Sequence, residues 1–191
     1  MATSPGLLDG IMAQLGPGGV AQIAQTLGTD DSTASSAIAA ALPAILGGMA
    51  KNTQSQSGAT SLASALNDHD DSVFGQLGDL LGSGGGDGAA ILGHVLGQRQ
   101  PYVEQSVSKS SGISVDLIMK LLPILAPLVM GYLSKQRSSQ GLDAGGLGDV
   151  LNQERRTQET AQPGLGGLAA ILDADGDGSA LDDILGKLLK G

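Results

Sequence analysis

Two proline-marked apolar runs govern what this chain can fold into. Residues 42–51 read LPAILGGMAK and residues 122–131 read LPILAPLVMG, with Pro43 and Pro123 80 positions apart. At that offset Ile11 falls on Ile91, Ile23 on Val103, Leu27 on Val107 and Ile38 on Ile118. Leu42 then meets Leu122, Ile45 meets Leu125 and Met49 meets Val129. The apolar positions recur at spacings of three and four, the period of a helix with one buried face. A repeated amphipathic unit buries that face against its own copy. The expected fold is all-α, with two similar multi-helix units offset by about 80 residues and a C-terminal helix–loop–helix.

The side chains available for a core support helices over strands. One Phe, two Tyr and no Trp leave packing to Leu, Ile, Val, Ala and Met, and strands draw heavily on aromatic residues. The 31 glycines fall largely between apolar runs, as in short helices joined by Gly turns. In the first unit, Leu7–Leu15 and Val20–Leu27 read as helices separated by a Gly16-Pro17-Gly18-Gly19 break. Gly28 ends the second, and Asp31 or Ser32 is placed to cap a third that runs to about Ala50. Pro43 is expected to kink or split that helix. The second unit repeats the plan with Ala89–Leu96, Tyr102–Ser108 and Ser114–Gln136, the last bent or broken by Pro123 and Pro127. Ser61–Leu66 and Val73–Leu81 are short amphipathic helices flanking a turn at residues 67–71. The expected division is a first helical unit at 1–81, a flexible Gly-rich linker at 82–88 and a second unit at 89–137. A polar, Gly-rich linker follows at 138–164, within which residues 152–162 read as a mobile linker or a solvated helix, then an Asp-rich helix–loop–helix at 165–191.

Charge and composition weigh against several functions. There are 19 acidic and 10 basic residues, for a formal net charge of −9. Such a chain repels nucleic-acid phosphates and anionic membrane surfaces. With no cysteine there is no disulfide, thiolate metal site or cysteine nucleophile. The N-terminus lacks the basic and apolar regions of a signal peptide. A cytoplasmic location is therefore expected, with non-classical export left open. No uninterrupted apolar stretch reaches the length of a membrane span. The nearest, Leu121–Leu133, reads as a core segment before an interface.

Four segments could carry chemistry. Residues 23–28 followed by 32–42 have the spacing of a helix-turn-helix. Its second helix offers Ser32, Thr33, Ser35, Ser36 and alanines, and residues 1–50 contain no Lys, Arg or His. Without cations the phosphate attraction that dominates DNA affinity is missing, so a packed helical hairpin is expected. Asp173, Asp175 and Asp177, with Gly178 following, match positions 1, 3, 5 and 6 of an EF-hand loop. The Ser179 carbonyl can add a fourth oxygen. Ile184 stands where a bidentate Glu would close the loop, so closure falls to Asp182 or Asp183. The expected ligand is calcium, held by Asp173, Asp175, Asp177, Ser179 and one or both of Asp182 and Asp183. The bland alternative is an acidic helix cap. His69 and His94 lie 25 residues apart without an HxxxH or HExxH spacing. His69 is expected as a solvated turn residue and His94 as a packing or hydrogen-bonding one, not as zinc ligands. Gly82–Gly88 lacks both the GK[ST] ending and the preceding strand of a phosphate loop. Nucleophile motifs such as GxSxG are absent as well.

The segments LLDGIMAQLG, SAIAAALPAILGGMAKN, GAAILGHVLG, LLPILAPLVMGYL and DADGDGSALDDIL resemble, in the same order, the YidB-like bacterial proteins of domain-of-unknown-function family 937. The resemblance implies an all-helical fold with a homeodomain-like motif, and it brings no catalytic residues. The expected function is that of a non-enzymatic structural or protein-interaction protein. It would be self-associating, with a calcium-binding C-terminal loop and no small-molecule substrate. The alternative is a DNA-associated regulator using the first unit.

Overall fold

The structure, a computed structural model, describes residues 6–161. Among them every regular element is a helix. The eight α-helices are α1 (Leu7–Leu27), α2 (Asp31–Asn52), α3 (Gln56–Ala65), α4 (Leu77–Gly82), α5 (Gly88–Val95), α6 (Gln100–Ser111), α7 (Val115–Gln140) and α8 (Ala144–Ala161). Short 3-10 turns at Leu66–Asp68, Asp71–Phe74 and Gly97–Arg99 join some of them. The all-α expectation holds. The chain divides into a larger unit ending at Glu154 and a smaller one beginning at Arg155. Only residues 155–161 of the smaller unit are described.

Within the larger unit α2 and α7 touch at the centre. Helix α1 packs on α2 and also on α7, while α6 packs on α7 and also on α2. This reciprocity is that of two similar halves facing each other. Local landmarks fix the register of the repeat. Gly28 closes α1 and Gly112 closes α6, both as left-handed C-caps with φ near 70°. Asp30 and Ser114 cap α2 and α7 two residues later. Pro17 matches Pro101, and Pro43 matches Pro127. All these pairs lie 84 residues apart, so the Pro43 equivalent is Pro127 and not Pro123. The four extra residues amount to about one helical turn, which leaves the same face apolar.

Of the prolines inside helices, only Pro17 adjoins a residue outside helical geometry. Gly16 alone leaves helical geometry (φ 61°, ψ 176°), and Pro17 then starts the second half of α1. The residue before a proline is pushed out of the α region, and proline itself is well placed at a helix start. Pro43, Pro123 and Pro127 sit inside α2 and α7 without splitting either helix. Tertiary burial holds them: Ile38, Leu42, Ile45 and Leu46 around Pro43 are buried, as are residues 121, 122 and 124–133 around the other two. Leu121–Leu133 is thus core. Helices α2 and α7 are nevertheless long and apolar enough to cross a membrane, with mean hydropathies of 1.5 and 1.8. In α7, 72% of the apolar window is buried inside the fold.

Two segments differ from expectation. Residues 82–88 form a tight turn, with Gly85 and Gly88 buried against Pro123 of α7. Residues 144–161, expected within a polar Gly-rich linker with a solvated helix as the alternative only from 152, form α8. Its Leu147 and Leu151 are fully buried in the core, and Glu154 completes the same face at i, i+4, i+7 spacing.

Candidate functional site

A groove of about 700 Å³ opens where the C-terminal end of α2 meets α3 and α5. That volume lies in the range of small-ligand sites. Met49 and Met130 line it from α2 and α7, and both are buried. Leu62 and Ala65 line it from α3, and Ala90, Ile91 and Val95 from α5. Glycines allow the walls to meet. A Cβ on Gly58 would overlap the carbonyl oxygen of Asn52, so glycine lets the start of α3 lie on the end of α2. A Cβ on Gly48 would come within 2.8 Å of Leu96 and 2.9 Å of Val95, which brings α2 close to α5. Asn52 then ties the corner, its Nδ2 donating to His94 O at 2.9 Å and to Val95 O at 3.3 Å.

The polar lining is cationic or neutral. Lys51, Arg99, His69 and His94 contribute, with hydroxyls from Ser55, Ser57 and Ser61. Among the described residues no Asp or Glu lines the groove, although the chain has 19. The α5 helix places its polar and apolar lining on one face, since Ala90, Ile91 and His94 are spaced by three and four residues. His94 Nδ1 lies 2.9 Å from Ala90 O. A carbonyl only accepts, so Nδ1 carries the proton. His69, 19% exposed, has Nε2 3.7 Å from Asp87 Oδ2. Beside it, Asp70 caps the following turn through Ser72 N at 2.9 Å, and hydrogen bonds from Ser72 lower its pKa. Asp71 lies 2.8 Å from Lys135 Nζ, and the hydrogen bond from Lys135 lowers its pKa too. Both carboxylates are engaged outside the groove.

The two histidines therefore share one site, which their separation in sequence hid. His94 is hydrogen-bonded, as expected. His69 is more enclosed than a solvated turn residue. Among the described residues no three His, Asp or Glu side chains converge as a metal site would need. The expected calcium ligands Asp173, Asp175, Asp177, Ser179, Asp182 and Asp183 lie outside the described residues. Lys51, Asn52 and Arg99 were missed by sequence reasoning. The one sequence signal was that the first cation of the chain, Lys51, falls at the end of an apolar helix.

The model of the family described as "bacterial protein of unknown function (DUF937)" matches residues 9–136. The chain belongs to this family. The DUF937 match takes in every residue lining the groove and ends before α8 and the Asp-rich tail. It bears out the family resemblance carried by the apolar segments. Comparison with curated proteins and with solved structures found no match.

Proposed function

We propose that this DUF937 protein is a non-enzymatic interaction protein whose working surface is the groove between α2, α3 and α5. The observation that carries this reading is a concave, mainly apolar site with polar groups at its rim, the general form of a ligand pocket. Two of the groove's three serines have local partners: Ser55 Oγ accepts from Gly58 N at 3.1 Å and lies 3.4 Å from Ser57 Oγ. His94 is the one base on α5, and its protonated Nδ1 is committed to Ala90. The calcium loop at residues 173–183 and self-association remain parts of the proposal that rest on sequence alone. For DNA binding nothing comparable speaks, since outward-facing Ser32, Ser36 and Ala39 of α2 are not basic.

The test is fluorescence of the neutral apolar dye Nile red. Wild-type protein is expected to raise its emission saturably, at low micromolar protein. Ser61→Trp, a substitution at an exposed α3 position that fills the groove, is expected to abolish the rise with an unchanged circular dichroism spectrum. A wild type that leaves the dye dark, or a Ser61→Trp protein that brightens it equally, ends the reading.

A further inference from the structure

We propose that the groove binds an amphipathic anion, specifically a long-chain carboxylate. The inference rests on the groove reading above and adds the ligand's chemistry. It starts from an imbalance of charge. The chain carries −9 overall, yet among the described residues this site is lined by Lys51 and Arg99, beside two histidines, and by no Asp or Glu. In an acidic protein a locally cationic cleft marks where a negative group is accepted.

The charges are placed unevenly along the groove. Lys51 ends α2, and its neighbour Asn52 is bonded to the carbonyls of His94 and Val95. Arg99 lies in the 3-10 turn directly after α5. Arg99 thus follows the C-terminal end of α5, and Lys51 adjoins the residue bonded to that same end. The other end is different: His69 Nε2 lies 3.7 Å from the carboxylate of Asp87, the residue before α5. Between the two ends run Ile91, Leu62, Ala65 and Met130. The α5 residues that line the site run from Ala90 to Val95, about 9 Å of helix at 1.5 Å per residue. The site thus has one cationic end and a mainly apolar wall of about 9 Å leading away from it. A carboxylate fits the fork of Arg99 and the Lys51 ammonium. Its chain lies along α3 and α5 over Met130, whose flexible thioether adapts to an alkyl chain. The overall negative field of the protein disfavours a dianionic head more than a monoanionic one.

The experiment is calorimetric titration of the full chain with dodecanoate, dodecanol and dodecyltrimethylammonium, each below its micelle concentration. Dodecanoate is expected to bind roughly tenfold or more tightly than either of the others. Lys51→Gln with Arg99→Gln is expected to bring dodecanoate to the dodecanol level and to leave dodecanol and Nile red unchanged. Equal affinity for the three head groups, or dodecanoate binding indifferent to the double substitution, overturns the carboxylate assignment. If Nile red still enters the wild-type groove and not the Ser61→Trp groove in that case, the groove reading survives alone. If neither Nile red nor dodecanoate binds, both fall.

Discussion

Gly88 shows how one missing side chain sets the position of a whole helix. Inside α7, Pro127 has no N–H to offer the carbonyl of Pro123, four residues earlier. That carbonyl faces the start of α5, where a Cβ on Gly88 would overlap its oxygen and a Cβ on Gly85 would lie 2.8 Å from its carbon. The glycines let backbone approach backbone. Gly88→Ala is expected to lower stability by about 1–3 kcal/mol through overpacking, read from the midpoint of urea unfolding. Gly93, in the same helix with open space where its Cβ would stand, is the control: Gly93→Ala should be neutral or add up to about 1 kcal/mol by helix propensity. Equal losses at both positions would show that α5 tolerates no added methyl anywhere and that the Pro123 contact is not decisive. Sequence could flag Gly82–Gly88 as a segment without side chains. It could not distinguish a flexible linker from a close contact, because the partner of that contact lies 35 residues further on. Tyr132 illustrates the same limit. Its phenol rests where a Cβ on Gly10 would be and accepts from Gln136 Nε2 at 2.8 Å, and neither glycine nor tyrosine announces the other.

At the scale of elements, caps decide where helices begin. Asp30, one residue before the expected cap, accepts from Thr33 N at 2.9 Å and Thr33 Oγ1 at 2.6 Å. These bonds lower its pKa from the usual carboxylate value of 3.8. A depressed folded-state pKa means stabilisation that is present above the unfolded value and lost as pH falls through the folded one. Asp30→Ala should therefore lower the thermal midpoint near neutral pH, and its deficit relative to wild type should narrow below about pH 4. A deficit that stays constant down to pH 2 would refute a charged cap. Helix α1 begins differently. Gly6 has no side chain to cap it, and Leu7 N donates instead to Glu154 Oε2 of α8 at 2.9 Å. A carboxylate at a helix N-terminus opposes the dipole's positive end. Glu154→Gln is expected to cost about 0.5–2 kcal/mol, with faster amide exchange at Leu7 as its local signature. An unchanged Leu7 exchange rate would contradict a capping role. Helices α1, α2, α5 and α7 were legible because their apolar residues repeat at three and four. Helix α8 was not, because only Leu147 and Leu151 of its central turns reach the core fully, and glycines and charges surround them. The groove was less legible still, since it joins α2, α3, α5 and one residue of α7.

For the whole molecule, the repeat explains both what could be read and what slipped. A four-residue shift preserves a helix face, so apolar periodicity accepted an offset of 80 where caps and prolines fix 84. Capping glycines and N-cap residues carry that register, and they weigh little in a pattern of hydrophobic positions. The Asp-rich tail lies outside the described residues, and its calcium reading is argued from spacing alone. Calcium titration followed by calorimetry is expected to give heat in wild type and none after Asp173→Ala with Asp177→Ala. Unchanged heat in the double variant would remove calcium from the account. The reciprocal packing of α1 and α6 on α7 and α2 has one more consequence. Residues 53–87 both join the two halves and pack on them, with Leu66 and Leu77 in the same core, so a cut within this segment would turn an internal contact into an association between fragments.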